Sequence, residues 1–148
     1  MKIILASDHA GIELKNKMKG ILAKLDHTME DMGAFEFREE DDYPVIMIPV
    51  AIKVAGEAET RAIIFGKSGQ GEAMVANRFP GVHATVYYAP NLEIIRLARE
   101  HNDSNILSIG AGFINEAEAE EAVRLWLSTP FSGEERHIRR LEQADNIQ

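Results

Sequence analysis

The sequence predicts a three-layer α/β protein, a parallel sheet covered on both faces by helices. Two observations carry this. Short apolar runs alternate with segments of helical period, the pattern of βαβ units. Several of those runs are continuously apolar, as expected of strands buried on both faces. The 148 residues fit one domain, 1–148, long enough to enclose a core.

The elements follow in order. "KIILAS" (2–7) reads as a buried strand. The stretch 10–25 places Ile12, Leu14, Met18, Ile21, Leu22 and Leu25 at helical spacing. "HTMEDMG" (27–33) is a weaker strand. Residues 42–56 read as a helix; Pro44 fits its first turn, and Pro49 is a candidate kink. "AIIFG" (62–66) is the clearest strand, followed by a helix over 71–79 and a strand over 81–88. A helix over 91–101 leads to the fifth strand, "NILSIG" (105–110). Asn115 is a good N-cap for a helix over 115–128, and a strongly charged helix over 132–144 ends the chain.

Composition narrows the function. The net charge of −8 argues against general nucleic-acid binding, which needs a basic face. Without cysteine there is no disulfide, thiolate catalysis or cysteine-held metal. The N-terminus lacks a signal-peptide layout and no apolar run suits a bilayer, so a cytoplasmic protein is expected. His9, His27, His83, His101 and His137 show no tight ligand spacing, so no metal site and no cofactor are predicted.

In parallel α/β sheets ligands bind beyond the carboxyl ends of the strands. That rule selects Ser7–Gly11, Gly66–Glu72 and Gly110–Phe113. The middle stretch, "GKSGQGE", carries Gly66, Gly69 and Gly71 around Lys67, Ser68 and Gln70. Such a loop lets backbone N–H groups converge, and the following helix adds its positive end, so a negative charge fits there. It is not a nucleotide P-loop, because Arg61 stands where the first glycine belongs. Nor is it a hydrolase elbow, where Gln70 replaces the last glycine, or a dinucleotide loop, which would end on Met74.

Glu72 has two readings. It is an acid stabilising the first turn of a helix, or it is a general base, kept ionised by that helix end. As a base it would take a proton from carbon while Ser68 and loop N–H groups hold the oxyanion, as in a metal-free aldose–ketose isomerase. The other clusters divide similarly. Asp8 is an N-cap or, with His9, a ligand contact; Tyr43 packs on a loop or meets ligand. His101 in "EHND" answers a helix C-terminus or performs acid–base work on a sugar ring. Arg136 and Arg140 share one helix face and suit phosphate, although the flanking Glu134, Glu135 and Glu142 suit a solvated surface.

Together and in this order, "SDHAG", "DYP", "GKSGQGEAMVANR", "REHNDSN", "SIGA" and "RHIRR" resemble the ribose-5-phosphate isomerase B and galactose-6-phosphate isomerase family. They span residues 7–140. The resemblance implies a doubly wound, Rossmann-like sheet of five strands with a C-terminal helix. It implies a homodimer, often paired into a tetramer, with active sites between subunits. The activity it implies is interconversion of ribose 5-phosphate and ribulose 5-phosphate, a step of the pentose phosphate pathway. One branch uses a cysteine base where this chain has Gly66; the other uses the glutamate of G-S-G-x-G-E, here Glu72. By the same resemblance Ser68 assists, His101 opens the sugar ring, and Asn102 contacts substrate. Asp8 and Tyr43 lie at the sugar, as does the loop Lys67–Gly71, while His9, Arg136 and Arg140 hold phosphate. Two residues depart from the pattern: Gly112 and His83 stand where the family usually or often has arginine. A six- or four-carbon sugar phosphate and a non-catalytic sugar-phosphate sensor therefore remain as alternatives.

Overall fold

The computed structural model describes residues 1–147. Its elements are β1 (Lys2–Ser7), α1 (Ile12–Leu22), β2 (Thr28–Asp31), α2 (Tyr43–Gly56), β3 (Thr60–Gly66) and α3 (Gln70–Ala76). They continue as β4 (Ala84–Tyr87), α4 (Leu92–Asn102), β5 (Ile106–Gly110), α5 (Glu116–Ser128) and α6 (Glu135–Asp145). All five strands are parallel, in the order β2-β1-β3-β5-β4. The three-layer doubly wound fold is thus the one expected.

Alternation along the strands splits the core in two. Ile3, Leu5, Ile63, Phe65, Leu107 and Ile109 face one layer, where Met18 and Leu22 of α1 and Val123 and Trp126 of α5 cover them. Ile4, Ala6, Ala62, Ile64 and Ile106 face the other, against Met47, Val50 and Val54 of α2 and Ala76 of α3. Trp126 is fully buried yet satisfied, because its indole N–H donates to Ser104 Oγ at 3.1 Å.

Two helices differ from expectation at their ends, and Pro49 is accommodated inside a third. The helix expected over 10–25 begins as a 3₁₀ turn at His9–Gly11, because the Asp8 side chain accepts from the N–H groups of Ala10 and Gly11. It also ends in a 3₁₀ turn, Ala23–Leu25, before Asp26 turns left-handed. Pro49 does not end α2. The carbonyl it deprives belongs to Val45, which is 70 % exposed, so water can serve that group. Finally, α3 stops at Ala76, short of the expected 79.

Asn115 does cap α5, in a full capping box with Glu118. Among the described residues no helix is long and apolar enough to cross a membrane.

Candidate active site

The strand order reverses between β1 and β3, so the connections after these strands flank the topological switch point. They lie close: Asp8 N–H donates to Phe65 O at 3.2 Å. A β-carbon at Gly11 would stand only 2.4 Å from the same oxygen, which is why this approach needs glycine.

Glu72 enters from the second position after the α3 N-terminal residue. It is 97 % buried, with 3 % exposure. Its carboxyl lies against bare Gly66: a β-carbon there would fall 2.1 Å from Oε1 and 2.2 Å from Cδ. Burial pushes the Glu72 carboxyl up from the ordinary range; its own backbone N–H opposes this, and nearby Asp8 and Asp41 reinforce it. Desolvation thus works against the expected influence of the helix end, which favours the ionised form.

Gly69 starts α3 with φ of 75°, and its carbonyl accepts from the buried Ser108 hydroxyl at 2.6 Å. The Ser68 hydroxyl accepts from Gln70 N–H at 3.3 Å. Tyr43, the first residue of α2, lies over Gly71; a β-carbon there would be 2.7 Å from Tyr43 Cζ. Lys67 is exposed at the mouth. Asp8, His9, Tyr43, Ser68, Glu72 and the intervening glycine loop are thus brought to one edge of the sheet.

Asp41 was not among the expected site residues. His9 Nδ1 meets its Oδ1 at 2.5 Å, and this bond raises the His9 pKa. The second Asp41 oxygen is buried without a partner among the described residues. Its neighbours in "DDYP" were a signal, but only folding of the β2–α2 connection places it here. Asp8, His9 and Asp41 bring ligand atoms within 4.8 Å of one another, which histidine spacing did not reveal. These donors are already engaged: Asp8 Oδ1 accepts two backbone N–H groups, and His9 Nδ1 pairs with Asp41.

The remaining expected residues lie at the opposite edge. His101 and Asn102 end α4, directly before β5, and therefore stand at the amino ends of the strands. A seven-residue strand spans about 20 Å, so one subunit keeps His101 and Glu72 far apart. His101 stacks on His137 of α6, ring centroids 4.3 Å apart. Burial lowers the His137 pKa, and His101 lowers it further. Arg136 and Arg140 on α6 are exposed beside this pair. His83, at the start of β4, bonds Asp145 at 3.1 Å and lines a cavity of about 620 Å³ with Asn102. It is not at the Glu72 edge.

The family model described as "Ribose/Galactose Isomerase" matches residues 3–144. The chain belongs to the ribose/galactose isomerase family. Ribose-5-phosphate isomerase B of Mycolicibacterium paratuberculosis is 37 % identical over 142 residues, covering 96 % of this chain and 88 % of that protein. Among solved structures of the family, ribose-5-phosphate isomerase B of Mycoplasma genitalium with bound ribulose 5-phosphate superposes with a TM-score of 0.90 at 31 % identity. That match covers 96 % of this chain and 92 % of the other. The Thermotoga maritima ribose 5-phosphate isomerase gives a TM-score of 0.90 at 36 % identity, covering 99 % and 98 %.

Proposed function

We propose that this chain is an aldose–ketose isomerase that interconverts ribose 5-phosphate and ribulose 5-phosphate through an enediolate, without a metal. The observation that carries the reading is the Glu72 carboxyl, buried against Gly66 in a glycine loop at the switch point. The solved relative holding ribulose 5-phosphate supports the choice of substrate. Glu72 takes the proton from C2 of the open aldose as electrons move onto O1. A proton passes from the O2 hydroxyl to O1, and the same carboxyl returns its proton to C1 as the carbonyl forms at C2. The Ser68 hydroxyl and loop N–H groups would hold the oxyanion. A buried carboxyl with a raised pKa is a stronger base once ionised, which suits a weak carbon acid.

His101 opens the sugar ring in this scheme, Asn102, Asp8 and Tyr43 contact the sugar, and His9, Arg136 and Arg140 receive the phosphate. Because His101 and Glu72 occupy opposite edges, the working unit is read as a cytoplasmic homodimer, or a tetramer of such dimers, with shared sites. The face of α2 supports an interface, since Val45, Ile48 and Ile52 are 70, 41 and 55 % exposed.

The test is isomerase assay of the purified chain against four-, five- and six-carbon aldose and ketose phosphates with chelator present. Turnover of the ribose/ribulose pair is expected; turnover of none would favour a sensor. Subunit exchange tests the shared site. Mixed Glu72→Gln and His101→Asn proteins, each inactive on ribose 5-phosphate, should regain about a quarter of wild-type activity, because half the dimers then carry one intact site. No recovery after confirmed exchange would refute sharing.

A further inference from the structure

The carboxyl edge is poor in positive charge. Its connections after the five strands contain only two lysine or arginine residues, Arg38 and Lys67. Arg38 lies among Glu36, Glu39 and Glu40 and approaches Glu36 at 3.6 Å. Among the described residues, Lys67 makes no ion pair and no side-chain hydrogen bond. The same edge holds Asp8, Asp41 and Glu72, which would repel a phosphate dianion. His9 already has Asp41 as its counter-ion, and the Lys15 ammonium, which reaches the end of β2, is taken up by Asp31 and Ala34 O.

Lys67 has a built seat. Gly112 N–H donates to Lys67 O at 2.9 Å, and Ala111 N–H donates to Gly66 O at 2.8 Å. These bonds fasten the base of the side chain to the end of β5. The seat requires a bare residue opposite. A β-carbon at Gly112 would lie 3.0 Å from Lys67 O and 3.1 Å from Lys67 Cγ, tighter than ordinary contact. Gly112 therefore has a partner: a side chain at 112 and the Lys67 stem compete for one space.

Building on the function proposed above, we infer that Lys67, seated on Gly112, is the cation at this edge that recognises the phosphate of the substrate and so sets specificity for phosphorylated over free sugars. It is a binding residue with no part in moving the proton. A lysine ammonium donates to phosphate oxygens as a point charge. The pair Lys67–Gly112 thereby supplies from the glycine loop the charge that an arginine at 112 would bring from the other side.

The test uses the full-length protein. Lys67→Met should raise KM for ribulose 5-phosphate about tenfold while kcat stays within about threefold. It should weaken inorganic phosphate by a similar factor, by competitive inhibition and by calorimetry. Lys67→Arg should retain affinity. Gly112→Ala should raise KM without removing a charge, because its methyl crowds the Lys67 stem. Lys67→Gly combined with Gly112→Arg should recover much of the affinity that Lys67→Met loses. Unchanged KM and unchanged phosphate affinity in Lys67→Met would overturn the inference. Wild-type affinity in Gly112→Ala would overturn the seat. Calorimetry with phosphate needs no turnover, so a chain inactive on every sugar phosphate would sink the isomerase reading and still leave this inference tested.

Discussion

Gly66→Ala should disable the enzyme by moving one carboxyl. The added methyl would sit 2.1 Å from Glu72 Oε1, 2.2 Å from Cδ and 2.5 Å from Oε2. All three atoms crowd it, so rotation about the last bond brings no relief. Reaching an ordinary contact of 3.4 Å demands a shift of 3.4 − 2.1 = 1.3 Å. The end of a glutamate side chain can make that move without disturbing β3, so the variant should fold with a melting temperature near wild type. A displacement of about 1 Å at a reacting group can cost about 10²-fold in rate. Glu72→Gln removes the base outright, for a loss of roughly 10²–10⁴-fold. The two changes act on one carboxylate, so the double variant should be no slower than Glu72→Gln alone. The assay is kcat for ribose 5-phosphate in the four members of the cycle, with thermal melts as the folding control. Additive losses would mean that Gly66 and Glu72 act independently, and a folded Gly66→Ala with wild-type kcat would show that the base is not where this geometry puts it.

The acid limb of kcat/KM should lie above the ordinary carboxylate range, because Glu72 must be ionised and its pKa is raised, chiefly by burial; Gly and Ser variants of neighbouring loop residues are not needed to see it, only a pH profile. For stability the sign is the reverse of a salt-bridged acid. A raised folded pKa contributes stability that is present below the unfolded value and is lost as pH rises through the folded one, so Glu72→Gln should gain in melting temperature over wild type as pH rises above the ordinary carboxylate range. His101→Asn should impair turnover of cyclic ribose 5-phosphate far more than hydrogen–deuterium exchange at C1 of ribulose 5-phosphate; equal losses would remove the ring-opening role. Asn115→Ala breaks the α5 capping box and should cost about 1 kcal/mol, or about 3 °C in melting temperature, with kinetics unchanged.

The layers of this fold were legible because period and burial agree. Continuous apolar runs such as Ile63–Phe65 allow little but a doubly covered strand, and all five strands lie where expected. Pro49 was harder, since its tolerance depends on which side of α2 meets water, a tertiary fact. Glu72 is identifiable as a candidate from its place after a glycine loop, but the upward shift of its pKa is not. Spacing reports the helix end and is silent about how deeply the carboxyl is buried or that Asp8 and Asp41 lie beside it. Asp41 itself escaped notice because a loop brings it back to His9 across thirty-two positions. The resemblance named His101 and Asn102 beside Glu72 in active sites between subunits. Their place at another edge of one subunit follows from topology, since a residue closing the helix before a parallel strand must stand at that strand's amino end.

That separation has an electrostatic consequence. The Glu72 edge gathers Asp8, Asp41 and Glu72 around a loop with one lysine, whereas the far edge gathers His101, His137, Arg136 and Arg140 around the start of α6. A lone subunit thus offers a phosphate dianion an acidic site with little compensating charge, and burial and like-charge neighbours raise the pKa of its base. Seating the second edge of another copy over the first would change both at once. The incoming guanidinium groups would attract the phosphate, and positive charge near Glu72 would draw its pKa back toward the ordinary range. Assembly on this reading does more than add substrate contacts: it lowers the pKa of the carboxyl that must accept a proton from carbon.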